Sequence, residues 1–300
     1  MSTRVWPYPD LRNGTTIHHI TDTHFGLRTE ADGRFPQISV DLEILKAAHA
    51  GHLHSGDMVD WDAAPTDAPE DAQYLAFRNG VKAKDGLPWA EVVGNHDLQS
   101  FQTLTARTSA QWAASMGLSS QNTVTTMGGV RIIGLGPDSW RAFDTPEPGY
   151  TLSAATLTFL DQQLTAAGST PCFIATHVPP SEQYPAESQV ALPVAGLDGI
   201  VAGHSNVVGW LSGHRHANPD TDTAHAGVAT IGGRKLFVVN GPAAGGRMAG
   251  VAYADYVFKS PSLSMFVTYL GGALDVRWRD HSAMGWKSVN GQPFKHILLT

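Results

Sequence analysis

The chain has 300 residues, of which 42% are apolar and 16% charged, a composition typical of a soluble globular protein with a sizeable core. Its formal net charge of −7 argues against a broad nucleic-acid surface, which would show a basic patch, but does not exclude an anionic substrate. The single cysteine, Cys172, excludes an internal disulfide bond, and we interpret it as an inert thiol in a buried strand. Neither a signal-peptide run nor a membrane-spanning window is present, so we expect a cytoplasmic protein.

Apolar spacing and turn residues predict alternating strands and helices up to about residue 230, and strands alone beyond it. In chain order, the predicted elements are a strand at 15–21, a helix at 36–50, a strand at 52–55, a loop at 63–69, a helix at 70–81, a strand at 89–93, a helix at 101–116, a hairpin of strands 124–126 and 130–135, a helix N-capped by Ser153, a strand at 172–176, a helix at 197–207, and strands at 210–212, 235–239, 251–258, 264–269 and 274–278. This order predicts an α/β fold with two stacked mixed β-sheets flanked by helices. We expect a single domain over 1–300, with a motif-bearing core at about 15–245 and a β-rich part at 246–300.

Five short polar stretches each follow a short apolar run and supply oxygen or imidazole groups. They are Asp22-Thr23-His24, Gly56-Asp57-Met58-Val59-Asp60, Gly94-Asn95-His96-Asp97, Thr176-His177 and Gly213-His214-Arg215-His216. At a strand end, residues two positions apart point the same way, so Asp22 with His24, and His214 with His216, can each reach one ion. Either pair alone is weak evidence, because the chain has 14 histidines.

Asp57 differs from the other candidates, because a carboxylate has two oxygens and can bridge two cations. The preceding Gly56 allows the backbone to approach closely. Asp60, three residues further on, fits equally well as a supporting residue behind the ligands or as an acid of a solvated loop. Asn95 offers a neutral oxygen ligand.

Taken together, the five stretches resemble, in order and in residue type, the calcineurin-like metallophosphoesterase family. The family pattern is D-x-H, then GDxxD, GNH[DE], a lone His, and GHxH, and the resemblance covers residues 15 to about 245. It implies a four-layer sandwich of two sheets and outer helices. It also implies hydrolysis of phosphoric esters at a pair of metal ions.

The resemblance implies a complete ligand set. One ion would bind Asp22, His24 and His216, a second ion would bind Asn95, His177 and His214, and Asp57 would bridge the two. Nitrogen and oxygen ligands without sulfur fit two divalent ions of Mn, Fe, Zn or Ni, with Mn or Fe favoured. A metal-bridging hydroxide would attack phosphorus.

The resemblance further implies that His96 is the general acid for the leaving oxygen and that Asp97 holds its ring. Asn95, His96 and His214 would contact the substrate. One departure from many relatives is Val178, where they carry a second histidine. Arg215 could face a phosphate or the solvent, and the solvent is favoured.

The remaining histidines fit no motif, and we expect each to be structural or exposed. They are His18, His19, His49, His52, His54, His204, His225 and His281. No P-loop or nucleophile-elbow pattern occurs.

These observations favour a phosphodiesterase acting on a small phosphodiester such as a cyclic nucleotide. The alternatives are a nuclease or a phosphomonoesterase on the same metals, or a binding or scaffold protein built on an inactive phosphoesterase fold. The expected partner is a small phosphorylated substrate, with nucleic acid not excluded and no membrane. The C-terminal strands at 251–300 could complete the second sheet or form the edge of a homo-oligomer.

Overall fold

The computed structural model describes residues 14–25, 35–59, 68–98, 107–140, 150–184, 196–244, 248–249, 257–258 and 262–299. Within these ranges the strands are β1 (Thr15–Ile20), β2 (His52–His54), β3 (Trp89–Glu91), β4 (Thr123–Met127), β5 (Val130–Gly134), β6 (Ser139–Trp140), β7 (Tyr150–Thr151), β8 (Cys172–Ala175), β9 (Val207–Ser212), β10 (Ala226–Ile231), β11 (Arg234–Asn240), β12 (Met248–Ala249), β13 (Val257–Phe258), β14 (Leu263–Tyr269), β15 (Ala273–Asp280), β16 (Gly285–Lys287) and β17 (Lys295–Leu298). The α-helices are α1 (Phe35–Leu45), α2 (Ala68–Asp85), α3 (Ser109–Ser115), α4 (Ala154–Ala167) and α5 (Leu197–Gly203).

The larger strands form two mixed sheets, as predicted. The first sheet has the order β16-β15-β14-β1-β2-β3, with β17 also paired to β15. Its strands β1, β2 and β3 are parallel, and β14 runs antiparallel to β1. The second sheet has the order β10-β11-β9-β8-β5-β4, in which the four inner strands are parallel and both edge strands antiparallel. The C-terminal strands therefore extend the first sheet, beside β1.

Three buried apolar clusters define the layers. One lies between the sheets and joins residues of both, among them Ile17 of β1 and Phe237 of β11. A second packs α1, α2 and α3 on the outer face of the first sheet, with Trp112 of α3 fully buried. A third packs α4 and α5 on the outer face of the second sheet around Leu160. The expected order of helix, sheet, sheet and helix is confirmed.

Several predicted boundaries are wrong, for local reasons. The helix predicted at 101–116 begins at Ser109, because Thr108 forms a capping box with Gln111; residues 101–106 lie outside the described ranges. The helix predicted at 197–207 ends at Gly203, and β9 starts at Val207. The predicted elements do not include strands β6, β7, β10, β12, β16 and β17.

Other predictions fall partly outside the described residues. Of the predicted loop at 63–69, the last two residues already belong to α2, and of the predicted strand at 251–258 only β13 is described. Cys172 is buried in β8, and burial raises the pKa of its thiol to about 11, as expected for an inert group. Among the described residues, no helix combines the length and apolar character needed to cross a bilayer.

Candidate metal centre

The five polar stretches meet at one rim, where the parallel strands of both sheets end. The first sheet contributes Asp22 after β1, Asp57 after β2 and Asn95 after β3, and the second contributes His177 after β8 and His214 after β9. Ligands bind preferentially beyond the carboxyl ends of such strands, where the chain leaves the sheet. The stacking of the two sheets thus brings together side chains that are far apart in sequence.

The backbone at this rim is strained at the candidate ligands. Among the described non-glycine residues, seven have a positive φ, and five of these are candidate ligands. The five are Asp22 (53°), His24 (48°), Asp57 (51°), His214 (73°) and His216 (48°). Each such conformation costs about 1–3 kcal/mol and persists only where the surrounding structure holds it.

At two positions only glycine fits, because neighbouring atoms leave no room for a β-carbon. A β-carbon at Gly94 would lie 2.2 Å from both the amide nitrogen and Oδ1 of Asp57. A β-carbon at Gly213 would lie 2.0 Å from Thr21 Oγ1 and 2.6 Å from Asp22 Oδ2. Any side chain at either glycine would therefore push the first two strand ends away from the others.

The first group of candidate ligands consists of Asp22, His24, Asp57 and His216. His216 Nε2 lies 3.1 Å from Asp22 Oδ1 and 3.1 Å from His24 Nε2. His24 Nε2 lies 4.0 Å from Asp22 Oδ1 and 3.9 Å from Asp57 Oδ2. Atoms at such separations can all lie about 2.0–2.2 Å from one ion, so this group could hold a metal.

The second group consists of Asp57, Asn95, His177 and His214. His177 Nε2 lies 3.1 Å from Asp57 Oδ2 and 3.0 Å from Asn95 Oδ1. His214 Nδ1 also lies 3.0 Å from Asn95 Oδ1. Asp57 Oδ2 thus faces both groups, while its Oδ1 accepts a hydrogen bond of 2.8 Å from the amide of His96. The position of Asp57 suits a bridging carboxylate.

The protonation of the histidines fits bound cations. Burial lowers the pKa of His24 to about 4 and that of His214 to about 3, so both rings are neutral near pH 7. His177 donates from Nδ1 to the carbonyl of Ser55 at 2.8 Å, so in the neutral ring Nε2 carries a lone pair. That lone pair would face two further acceptors, Asp57 Oδ2 and Asn95 Oδ1, so a positive charge must lie among these three atoms.

A proton on His177 Nε2 is one way to supply that charge. Burial disfavours the charged ring of His177, but Asp57 outweighs burial and raises the pKa of His177 to about 9. The carboxylates of Asp22 and Asp57 have pKa values below the usual range, because neighbouring histidines outweigh the burial that opposes their ionisation. The donors present therefore fit two divalent cations, which would replace the proton.

The expectation that Asp97 holds the ring of His96 is wrong. Asp97 Oδ1 accepts hydrogen bonds from the amides of Met58 (2.8 Å) and Val59 (3.0 Å), and Oδ2 accepts one from Gly94 (2.7 Å). The chain turns after Asn95, with the Leu98 amide donating to the Asn95 carbonyl, so Asp97 points back into the protein. Asp97 ties the loop that carries Asp57 to the loop that carries Asn95.

Asp97 is fully buried, and burial together with the charge of Asp57 raises its pKa to about 7, against the opposing effect of the amide donors. His96 is half-buried, and its ring centroid lies 4.7 Å from that of His24. The ring of His96 therefore lies beside the first group of ligands, and its role as the general acid stays a prediction.

An open cavity of about 550 Å³ adjoins the ligands. Its lining consists of His214, Arg215, His216, Ala217, Asn218, Thr221 and Asp222. The guanidinium of Arg215 lies 4.1 Å from the ring centroid of Tyr184, whose hydroxyl donates to Asp222 Oδ2 at 3.1 Å. Arg215 therefore belongs to the cavity wall, contrary to the favoured expectation of a solvent-facing side chain. Tyr184 and Asp222 match no family motif, so the sequence alone did not identify them as residues of the site.

Two further predicted positions can be located. Val178 is buried in the cluster between α4 and the second sheet, so the departure from relatives places an apolar side chain in the core. Asp60 lies outside the described residues. The predicted ligands Asp22, His24, Asp57, Asn95, His177, His214 and His216 all converge.

Comparisons with known proteins agree with this fold. The fold is similar to a dimetal phosphatase from Danio rerio, with a TM-score of 0.57 and 13% identity over 95% of this chain and 99% of that one. It is also similar to purple acid phosphatase PPD1 from yellow lupin seeds, with a TM-score of 0.54 and 13% identity over 97% of this chain and 55% of that one. A third similar structure is GAP50, the anchor in the inner membrane complex of Plasmodium, with a TM-score of 0.51 and 10% identity over 94% and 91% of the two chains.

At such identities these likenesses establish the fold alone, and no curated protein sequence matches the chain. The model of the calcineurin-like phosphoesterase family, however, matches residues 15–217, about two thirds of the chain. This match contains every converging ligand residue. The chain belongs to the calcineurin-like phosphoesterase family.

Proposed function

We propose that this protein is a metal-dependent phosphodiesterase that acts on a small phosphodiester such as a cyclic nucleotide. The observation that carries the proposal is the position of Asp57, whose Oδ2 faces two complete groups of nitrogen and oxygen ligands. Two divalent ions held there would polarise the phosphoryl oxygens and lower the pKa of water in the site. The ligand chemistry fits Mn, Fe, Zn or Ni, and we favour Mn or Fe.

The protein's own groups would divide the remaining work. The backbone amide of His96 fixes Asp57, and its imidazole would give a proton to the departing oxygen. His214 lines the cavity, with Asn95 Oδ1 3.0 Å from its Nδ1, and both residues would also contact the phosphoryl group. Asp97 would act indirectly, by holding the loops of Asp57 and Asn95 together.

The size of the cavity supports a small substrate. Its volume of about 550 Å³ falls within the range of small-molecule sites, about 300–1,000 Å³. The lining contains one guanidinium, Arg215, and one carboxylate, Asp222. A small phosphoric ester fits such a cavity, and we take a diester as the substrate class to be tested.

Two other functions remain as alternatives. A nuclease or phosphomonoesterase could use the same ligands, although the net charge of −7 does not favour a long polyanion. A binding or scaffold protein on this fold would be expected to have lost ligands. All seven candidate ligands are present and converge, which favours an enzyme.

The substrate class is tested with protein that has been stripped with chelator and reloaded with Mn²⁺. We expect hydrolysis of bis-(p-nitrophenyl) phosphate and of 3′,5′-cyclic AMP, with slower hydrolysis of p-nitrophenyl phosphate. Reaction of the monoester alone would refute the diesterase, and efficient cutting of DNA with no turnover of small diesters would favour the nuclease. No turnover of any ester, with less than one ion bound per chain, would favour the scaffold protein.

A further inference from the structure

A second cluster of ligand-type side chains lies at the opposite end of β2 from the rim. His52 is the first residue of β2, His49 follows a short 3₁₀ turn at Lys46–Ala48, and Asp85 is the last residue of α2. The amino ends of β1, β2 and β3 lie here, whereas the candidate ligands described above follow the carboxyl ends. The two clusters share no residue.

The three side chains point ligand atoms at one another. His52 Nε2 lies 3.3 Å from His49 Nε2 and 2.7 Å from Asp85 Oδ2, and all three ligand atoms lie within 4.8 Å of one another. In a tetrahedral zinc site with bonds of about 2.0 Å, ligand atoms are about 3.3 Å apart. The two imidazoles already have this spacing, and the carboxylate would move outward by a few tenths of an ångström.

The surroundings hold both rings in the orientation that a metal requires. His49 Nδ1 donates to the carbonyl of Leu45 at 3.1 Å, which leaves the lone pair on Nε2. The ring of His52 stacks on Trp89 with centroids 4.5 Å apart. A backbone carbonyl behind the inner nitrogen and a fixed ring plane are typical of metal-binding histidines.

A buried chain of polar groups connects His52 to α1 across the first sheet. The groups in order are Asp41, His281, Ser264, His18, His52 and Asp85. Successive polar atoms are separated by 2.8, 2.8, 2.9, 2.9 and 2.7 Å, so all five contacts are hydrogen bonds. Each contact requires one proton between its two atoms.

The available protons do not suffice for these contacts. Asp41 and Asp85 act as acceptors, since Asp41 Oδ2 accepts from Arg279 Nε at 2.8 Å and Asp85 Oδ1 accepts from the Leu87 amide at 3.0 Å. Three neutral imidazoles and one hydroxyl supply four protons for the five contacts. A fifth proton would make one of three fully buried imidazoles, those of His18, His52 and His281, a cation.

A divalent cation removes this deficit. With an ion between His52 Nε2 and Asp85, that contact needs no proton, and His52 can donate from Nδ1 to His18. His18 then donates to Ser264, Ser264 to His281, and His281 to Asp41, so the four remaining contacts take four protons. The lone pair of His49 Nε2 also gains a partner.

We propose that His49, His52 and Asp85 form a separate mononuclear site for a divalent transition metal such as Zn²⁺. The ion would join the 3₁₀ turn after α1, the start of β2 and the end of α2. Because the unfolded chain lacks the site, binding would stabilise the folded protein. His49 is 7% exposed, which places the site close to the surface and gives the ion a path to it.

The test measures bound zinc by mass spectrometry after chelation, reloading with Zn²⁺ and desalting. We compare the wild type with His49→Ala, and Asp57→Ala with Asp57→Ala/His49→Ala. In both pairs, removal of His49 should lower the content by one ion per chain. Because each comparison is a difference, it does not depend on what the site around Asp57 holds.

A matched control is available on the surface. His204 Nε2 lies 2.7 Å from Asp161 Oδ1, the same separation as in the His52–Asp85 pair, but the described residues supply no third ligand there. His204→Ala should therefore leave the zinc content unchanged. An equal loss of zinc in His204→Ala and His49→Ala would overturn the proposal.

A second variant covers the case in which His49→Ala does not fold, which circular dichroism would reveal. Asp85→Asn keeps the shape of the side chain and one oxygen that can accept from the Leu87 amide, but it removes the negative charge from the ligand set. We expect Asp85→Asn to bind Zn²⁺ at least tenfold more weakly. Zn²⁺ should raise the melting temperature of Asp57→Ala, and this rise should be lost when Asp85→Asn is added to that variant. Unchanged zinc affinity in Asp85→Asn, or no zinc-dependent rise in Asp57→Ala itself, would contradict the proposal.

Discussion

The two ends of β2 carry clusters of the same side-chain types that the chain builds in different ways. At the carboxyl end, Asp57 lies in a loop with positive φ, preceded by a glycine, and meets loops from both sheets. At the amino end, His52 lies within a regular strand and meets the ends of ordinary helices. Strained loops flanked by glycine therefore carry a motif that can be recognised in the sequence, whereas a cluster built from regular strands and helices does not.

The largest expected effect follows from removing the carboxylate that both ligand groups face. Asp57→Ala should lose both ions of the rim. Its phosphodiesterase activity should fall by more than the roughly 10–100-fold that is typical when a residue hydrogen-bonded to a metal ligand is removed. Metal content and hydrolysis of bis-(p-nitrophenyl) phosphate are measured on the same preparation. Two tightly bound ions at the rim of this variant would show that Asp57 is not the bridge.

The next effect distinguishes a residue that moves a proton from one that binds metal. His96→Ala should keep the metals, and its turnover of a cyclic nucleotide should fall by about 10²–10⁴, the usual contribution of a general acid. The loss should be smaller on bis-(p-nitrophenyl) phosphate, because p-nitrophenolate leaves without a proton. Equal losses on both substrates would instead assign His96 to positioning the phosphate.

A third prediction concerns the far end of the buried polar chain. The carboxylate of Asp41 is fully buried and accepts from Arg279 Nε and His281 Nδ1, both at 2.8 Å. Asp41→Ala leaves the guanidinium buried without its counterion and should lower the free energy of unfolding by about 3–5 kcal/mol. Urea titration measures the change.

The matched control for Asp41 is an exposed ion pair. Asp220 Oδ2 lies 2.8 Å from Lys287 Nζ, with side chains 43% and 25% exposed. Asp220→Ala should cost less than about 1 kcal/mol. Similar losses for Asp41→Ala and Asp220→Ala would mean that the buried chain contributes no more than a surface pair.

The last effect is a change of the free energy of unfolding with pH, which is small within any one pH unit. Burial lowers the pKa of His19 to about 4, below the value of about 6.5 in an unfolded chain. Between these values the unfolded state binds the proton, so the stability due to this group is complete above pH 6.5 and lost towards pH 4. Urea titrations of chelated protein should show a fall of up to about 1.4 kcal/mol per pH unit for His19. His19→Gln should flatten the curve, and an unchanged curve would contradict the assignment.

The ligands could be predicted from the sequence, because the order of the motifs identifies them and each motif follows a strand that ends at the same rim. The role of Asp97 could not, since the prediction assumed an extended backbone where the chain turns after Asn95. The cavity wall formed by Arg215 and Tyr184 depends on contacts between distant loops. The chain from Asp41 to Asp85 depends on strand register, which pairs His18 with both His52 and Phe266.

The central claim is that two ligand groups share Asp57 and hold two ions. Anomalous diffraction from Mn²⁺-loaded crystals, recorded on both sides of the manganese absorption edge, tests it most directly. We expect two peaks about 3.5–4 Å apart, one beside Asp22, His24 and His216 and one beside Asn95, His177 and His214, with Asp57 touching both. A single peak, or two peaks of which only one contacts Asp57, would contradict the account.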